Sequence, residues 1–127
     1  MSTVLYDAGA LIAAERRNKR LLAMHDTWLK SGFTAFVPTP VIAQAWRSPR
    51  QVGLARVLNG CRAWPLDLEQ ALEVGKLLAA SGTSDVVDGA VVVAARRLRP
   101  IAVVTSDRDD LTHLGRTLRL PLPIVDV

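Results

Sequence analysis

The stretch Ile101–Asp110, with the sequence IAVVTSDRDD, constrains the fold more than any other part of the chain. An uninterrupted β-branched run such as Val103–Val104 is typical of a strand buried on both faces, the kind found in parallel sheets. Two small hydroxyl residues and three aspartates follow this run. In open α/β sheets, ligands bind at the carboxyl ends of the strands. The stretch therefore predicts a parallel α/β fold with carboxylates at its functional edge.

Strand-like and helix-like segments alternate along the rest of the chain. Four short apolar runs read as further strands: Thr3–Tyr6, Phe33–Val37, Cys61–Leu66 and Pro123–Val127. Segments with apolar residues at helical spacing lie between them. This alternation predicts an α/β domain with a mainly parallel sheet of about five strands. The helical segment Asp85–Arg97 is unusually apolar, so we expect it to pack centrally against the sheet.

Length and composition exclude several classes of protein. A chain of 127 residues, half of them apolar, predicts one domain over residues 1–127 with a core of its own, and not a disordered chain. No apolar run approaches the roughly 20 residues that a membrane span needs. The first residues lack the pattern of a signal peptide, and Cys61 is the only cysteine. We expect a cytoplasmic protein with no membrane partner.

The basic residues are dominated by arginine. The formal net charge is +4, and lysine occurs only at Lys19, Lys30 and Lys76 among 16 basic residues. Arginine binds phosphate in bidentate fashion, so this balance permits a nucleic-acid partner. A GC-rich genome that uses arginine on an ordinary solvated surface explains the balance equally well. Charge alone does not choose between the two.

Three aspartates are expected to meet at one edge of the sheet. Asp7 closes the first strand, Asp107 follows the fourth, and Asp88 lies in the first turn of the apolar helix. The carboxyl ends of parallel strands share one edge, so residues far apart in sequence become neighbours there. Converging carboxylates repel one another unless a hard divalent cation binds them. The pattern predicts a Mg²⁺ or Mn²⁺ site and metal-assisted hydrolysis of a phosphodiester.

Two other aspartates have a structural interpretation beside the functional one. Asp85 and Asp109 lie in the first turns of predicted helices, where the helix dipole and capping favour a carboxylate. Thr83 or Ser84 is the expected cap of the first of these helices. Ser106 followed by Asp109 resembles a capping box at the second. The roles of Asp85 and Asp109 stay open on the sequence alone.

The motifs taken together resemble the PIN-domain ribonucleases, in particular the VapC-like toxins of bacterial toxin–antitoxin pairs. The stretches that carry the resemblance span essentially the whole chain: LYDAGALIA, PTPVIAQAWR, TSDVVDGAVVVAARR and VVTSDRDDL. The resemblance implies a PIN-like three-layer α/β/α sandwich with a five-stranded parallel sheet. It also implies Mg²⁺- or Mn²⁺-dependent cleavage of single-stranded or structured RNA, dimerisation to a homodimer, and a cognate antitoxin protein.

By motif, Asp7, Asp88 and Asp107 correspond to acids of the family and are the expected catalytic residues and metal ligands. Asp110 is a possible auxiliary ligand. The family's second acid, usually a glutamate, is replaced here by Gln44, which brings an amide and no negative charge. The predicted function is thus the endoribonuclease toxin. The alternative is a PIN-like RNA- or partner-binding module that is catalytically weakened at Gln44.

Several other residues carry secondary hypotheses. Thr105 or Ser106 is expected to orient a water or a metal ligand. His25 and His113 lack the spacing of metal ligands and are expected on the surface or hydrogen-bonded. Two arginine clusters could contact a phosphate backbone or could equally be solvated helix faces: Arg16, Arg17 and Arg20, and Arg47 and Arg50.

Overall fold

A five-stranded sheet in which every strand pair is parallel forms the centre of the computed structural model, which describes residues 2–127. The strand order is β3-β2-β1-β4-β5. The strands are β1 (Thr3–Tyr6), β2 (Thr34–Pro38), β3 (Cys61–Trp64), β4 (Ala102–Thr105) and β5 (Ile124–Asp126). The predicted parallel α/β class is confirmed, with boundaries that differ by one or two residues in most strands.

Helices cover both faces of the sheet. They are α1 (Ala8–Glu15), α2 (Lys19–Lys30), α3 (Thr39–Ala45), α4 (Val52–Asn59), α5 (Leu68–Ser81), α6 (Val86–Leu98) and α7 (Arg108–Thr117). Right-handed crossovers put α1 to α4 on one face, because the chain moves from β1 to β3 in one direction. The chain then returns to β4 and β5, so α5 to α7 lie on the other face. The result is the predicted α/β/α sandwich.

Strand order reverses between β1 and β4, which are adjacent in the sheet although a long stretch of sequence separates them. Such a reversal opens a crevice at the carboxyl ends of the two strands, and this is where ligands bind in open α/β sheets. The Asp7 amide donates a hydrogen bond of 2.9 Å to the Val104 carbonyl and so joins the two strand ends. The fold therefore brings together the residues that follow β1 and β4.

The helix α6 contains the longest continuous buried stretch of the described helices. Its residues from Asp88 to Ala95 are all buried, with Val91 and Val92 fully inaccessible to solvent. The central packing predicted from its apolar sequence is confirmed. Among the described residues, no single helix could cross a membrane, although α5 and α6 together would have the length and composition if the 112° bend between them is disregarded.

Gly9 allows α1 to approach the turn that follows β4. A Cβ atom on Gly9 would lie 2.5 Å from the Ser106 Oγ and 2.6 Å from the Ser106 amide nitrogen. Both distances are shorter than van der Waals contact, and the amide belongs to the backbone, which cannot rotate away. A glycine at this position is therefore what lets the ends of β1 and β4 lie side by side.

Replacing Gly9 by alanine should separate these two segments. We expect Gly9→Ala to lower the free energy of unfolding by about 1–3 kcal/mol through overpacking. The matched control is Gly75→Ala on the exposed side of α5, where a new Cβ meets no atom within 4 Å. That change should raise stability by about 0.5–1 kcal/mol, because alanine favours the helix. Urea unfolding measures both, and equal midpoints for the two variants would contradict the close approach at Gly9.

Candidate metal centre

Asp7, Asp88 and Asp107 converge at the crevice between β1 and β4. One carboxylate oxygen from each lies within 4.8 Å of the other two. Asp7 follows β1 and is 1% exposed, Asp88 lies in the first turn of α6 and is 7% exposed, and Asp107 follows β4 and is exposed. The three residues that the sequence singled out as ligands are thus brought together from three separate elements.

The Asp7 carboxylate is held in a fixed orientation by two hydrogen bonds. Its Oδ1 accepts from the Ala8 amide at 2.7 Å, so Asp7 also caps α1. Its Oδ2 accepts from the Thr105 hydroxyl at 2.7 Å. The same Thr105 oxygen accepts from the Asp107 amide at 2.9 Å. Thr105 therefore orients one acid and positions the backbone of another, in keeping with the orienting role expected of Thr105 or Ser106.

Asp85 shapes the start of α6 in a way that the sequence left open. Its side chain accepts a hydrogen bond of 3.0 Å from the Asp88 amide, so Asp85 itself is the N-cap, and the expectation of a Thr83 or Ser84 cap is wrong. An aspartate three residues before a free helical amide is a favourable cap. Among the described residues, the Asp88 carboxylate receives no hydrogen bond, and it stays available as a ligand.

The start of α7 also differs from the expected capping box. Asp107 occupies the N-cap position and makes no capping hydrogen bond with its side chain. Ser106 lies one residue before the cap and Asp109 is exposed in the first turn. The expected Ser106–Asp109 box is therefore wrong, because the chain turns into the helix one residue later. The Asp107 carboxylate, which belongs to the acidic cluster, is therefore not engaged in capping α7.

The electrostatics of the cluster are unfavourable for the charged state. Burial is the main cause that raises the pKa of Asp88 to about 7, and the charges of Asp85, Asp7, Asp107 and Asp110 raise it further. Burial also raises the pKa of Asp7, and outweighs the hydrogen bonds from Thr105 and Ala8 that lower it. Within residues 2–127, no lysine or arginine forms an ion pair with the three ligand candidates.

These properties fit a hard divalent cation. Mg²⁺ and Mn²⁺ prefer carboxylate oxygens. A cation would offset both the desolvation cost of the buried Asp7 and Asp88 carboxylates and the repulsion among the acids. The donor set contains carboxylates and no thiolate or imidazole, which matches these metals better than Zn²⁺. Asp7, Asp88 and Asp107 are thus able to hold the expected ion.

A pocket of about 310 Å³ adjoins the cluster between α6 and α7. Its lining residues are Thr83, Ser84, Asp85, Asp88, Asp110, His113 and Leu114. Asp110, the expected auxiliary ligand, faces this pocket beside Asp88 but is outside the group of three close carboxylates. His113 is exposed, and its Nε2 lies 3.1 Å from the Ser81 carbonyl oxygen, so it is hydrogen-bonded as expected.

Gln44 lies on α3, which contacts both α1 and α6. Asp7 caps the first of these helices and Asp88 belongs to the second. The Gln44 side chain is exposed and adds no negative charge. The departure noted in the sequence therefore lies on a helix beside the candidate centre.

One ion pair at the rim was not found from the sequence. The Arg108 guanidinium, on the residue after Asp107, donates to both carboxylate oxygens of Asp126 at 2.7–3.0 Å. Arg20 donates to the Asp126 carbonyl oxygen at 2.8 Å from the opposite face of the sheet. Nothing in the local pattern pairs Arg108 with the last strand, since the contact depends on the parallel register of β4 and β5.

Comparison with known proteins gives a match in fold and none in sequence. No family model matches the chain, and no curated protein sequence is significantly similar to it. One similar solved structure is VapBC2 from Rickettsia felis bound to a DNA fragment from its promoter. The match has a TM-score of 0.72 at 13% identity and covers 98% of this chain and 98% of that chain. FitAcB from Neisseria gonorrhoeae gives a TM-score of 0.65 at 14% identity, over 95% of each chain. The resemblance to VapC-like PIN domains is confirmed at the level of the fold.

The raised pKa of Asp88 predicts a dependence of stability on pH and on metal. The folded state favours the protonated Asp88, so this contribution to stability is present below the ordinary pKa of 3.8 and is lost as the pH rises through about 7. Asp88→Asn, which is neutral at every pH, should raise the melting temperature at pH 8 without metal by roughly 5 °C. The gain should vanish near pH 4. Mg²⁺ should raise the melting temperature of the wild type at pH 8 and leave Asp88→Asn unchanged.

Asp109→Asn is the matched control, because Asp109 is exposed and outside the cluster. It should change neither the pH dependence nor the response to Mg²⁺. Calorimetric scans at the two pH values measure all three proteins. An equal rise with Mg²⁺ in wild type and Asp88→Asn would show that Asp88 is not a ligand.

Proposed function

We propose that this chain, which has the PIN-like fold of VapC-type proteins, is a Mg²⁺- or Mn²⁺-dependent endoribonuclease that cleaves single-stranded or structured RNA. The observation that supports the proposal most directly is the set of three carboxylate oxygens within 4.8 Å at the crevice between β1 and β4. An acidic centre of this kind at such a crevice suits metal-assisted hydrolysis of a phosphodiester.

In the proposed mechanism, Asp7, Asp88 and Asp107 would hold the cation and Asp110 would assist from the adjoining pocket. A divalent cation at this place supplies the acidity that activates a water and the positive charge that offsets the developing charge on the phosphate. Thr105 fixes the orientation of the Asp7 carboxylate through its 2.7 Å hydrogen bond to Oδ2. Because three backbone elements fix the acids, little reorganisation is needed when the substrate binds.

We further propose that the protein acts as the toxin of a toxin–antitoxin pair, with a cognate antitoxin protein and a second copy of the chain as partners. The support is the sequence resemblance to VapC-like toxins, together with a fold shared with VapBC2 and FitAcB. VapBC2 contains by its name a VapC, the class that the motifs resemble. The RNA substrate is proposed from the same class, and the excess of arginine permits it.

Cleavage of end-labelled RNA tests the enzymatic proposal. With single-stranded RNA or transfer RNA, we expect cleavage in Mg²⁺ or Mn²⁺ and none in EDTA. Asp7→Asn and Asp88→Asn should each lower the rate by at least about 100-fold, because each removes a charged ligand from the cation. Asp109→Asn, with the same chemical change outside the cluster, should cleave like the wild type. RNA that is bound but not cut, with no effect of either ligand substitution, would favour the binding module.

Gln44 is the specific observation behind that second candidate, a catalytically weakened RNA- or partner-binding module. The amide on α3 leaves the centre with one negative charge fewer than a glutamate would give. We expect Gln44→Glu to tighten Mg²⁺ binding and to raise the cleavage rate at low Mg²⁺ by roughly tenfold. Cleavage rates measured across a Mg²⁺ titration separate the active nuclease from the weakened binding module. For the weakened module, the wild type should not cleave RNA and Gln44→Glu should restore cleavage. A slower Gln44→Glu enzyme would show that the amide is the better residue here.

A further inference from the structure

A basic groove runs along the side of α7 that faces the last strand and the loop before it. It has a volume of about 460 Å³ and is lined by Arg108, Thr112, Arg116, Arg119, Leu120, Pro121 and Leu122. No acidic residue lines it. The α7 side of the groove carries Arg108, Thr112 and Arg116. The loop that follows α7 supplies Arg119 together with the apolar residues Leu120, Pro121 and Leu122.

The arginines of this groove differ in whether their guanidinium groups are already paired with a carboxylate. Arg108 is bound to Asp126 through two parallel contacts, which fixes the end of the groove beside Asp107. Arg116 and Arg119 are exposed and form no ion pair within residues 2–127. Their guanidinium groups are therefore available for an anionic partner.

Arg119 occupies a backbone position that usually belongs to glycine. Its φ of 53° is left-handed, and the Leu120 amide donates to the Gly115 carbonyl at 2.8 Å, which closes the end of α7. A residue with a Cβ costs roughly 1 kcal/mol in this conformation. Glycine would make the turn more stable, so the turn does not explain the arginine. Arg17 and Arg99 adopt the same conformation elsewhere in the chain, and at position 119 it brings a guanidinium to the groove.

We propose that this groove binds the phosphate backbone of the single-stranded RNA that extends from the metal centre. The inference rests on the proposed nuclease function. Residues at positions 108, 112 and 116 lie one turn apart on α7, so the wall offers repeated polar contacts along a line that begins next to Asp107. A groove of this size accepts a single strand with its phosphates on the arginines and its bases against the apolar residues of the loop.

The test measures RNA binding without cleavage. All proteins carry Asp7→Asn, and the probe is a fluorescein-labelled oligouridylate of about 12 nucleotides, titrated in Mg²⁺ at several salt concentrations. We expect the double substitution Arg116→Gln and Arg119→Gly to weaken binding roughly tenfold at low salt. Each lost phosphate contact should also reduce the slope of log affinity against log salt by about 0.7. The control Arg62→Gln removes an exposed arginine from β3, at the opposite edge of the sheet, and should change neither quantity.

Thermal melting shows whether a variant that binds RNA more weakly is still folded. Arg119→Gly alone should melt no lower than its parent, because it relieves the left-handed residue, and yet should bind the probe more weakly. An unchanged salt slope in the double variant would overturn the proposal. Equal affinity for a DNA duplex of the same length would also overturn it, since the site would then be a general polyanion surface or a docking site for another macromolecule.

Failure of this proposal can be distinguished from failure of the proposed function. If the wild type cuts no RNA but the double variant loses binding, the nuclease proposal fails and the groove stands. If the wild type cuts RNA and the double variant binds like the Arg62→Gln control, the groove fails and the nuclease proposal stands.

Discussion

The hydroxyl of Thr105 is the interaction on which the candidate centre depends. It donates to the Asp7 carboxylate and accepts from the Asp107 amide, so one oxygen joins the ends of β1 and β4. Thr105 is fully buried, and its bonds are therefore not exchanged for bonds to water. The close packing at Gly9 lets the two segments approach far enough for these bonds to form. The parallel sheet places the ends of β1 and β4 side by side, and the hydrogen bonds of Thr105 then fix the relative positions of Asp7 and Asp107.

The sequence was sufficient for the class of fold and for the convergence of Asp7, Asp88 and Asp107. Apolar runs that end in aspartate carry this information locally, and parallel topology does the rest. Details that depend on atoms from distant segments were not predictable. Arg108 proved to pair with Asp126, which depends on how two strands align. The cap formed by Asp85 is local, and capping was one of its two interpretations, but the sequence did not fix the residue at which α6 begins. A pattern of residue types does not specify such distances.

Gln44 changes meaning once the electrostatics of the cluster are known. Burial and then the neighbouring carboxylates already raise the pKa of Asp88 to about 7, and a negative charge on the adjacent helix α3 would add to that cost. On the proposed function, a neutral amide at position 44 would lower the cost of keeping the site folded and would also lower its attraction for a cation. Natural functional sites commonly exchange stability for activity in this way. Gln44 would thus favour stability at some cost in cation affinity, and its presence does not by itself mean that the proposed activity is lost.

The burial of α6 has a consequence for the lifetime of the protein. Asp88 begins the buried stretch of α6, so charge repulsion at the centre acts directly on the core and not on a peripheral loop. A ligand that binds only the native state stabilises that state in proportion to its concentration. Proteases in a cell act on unfolded chains, so under the proposed function the supply of divalent cation would set how long each molecule survives as well as whether it can act. Metal occupancy and protein abundance would then be linked through one buried carboxylate.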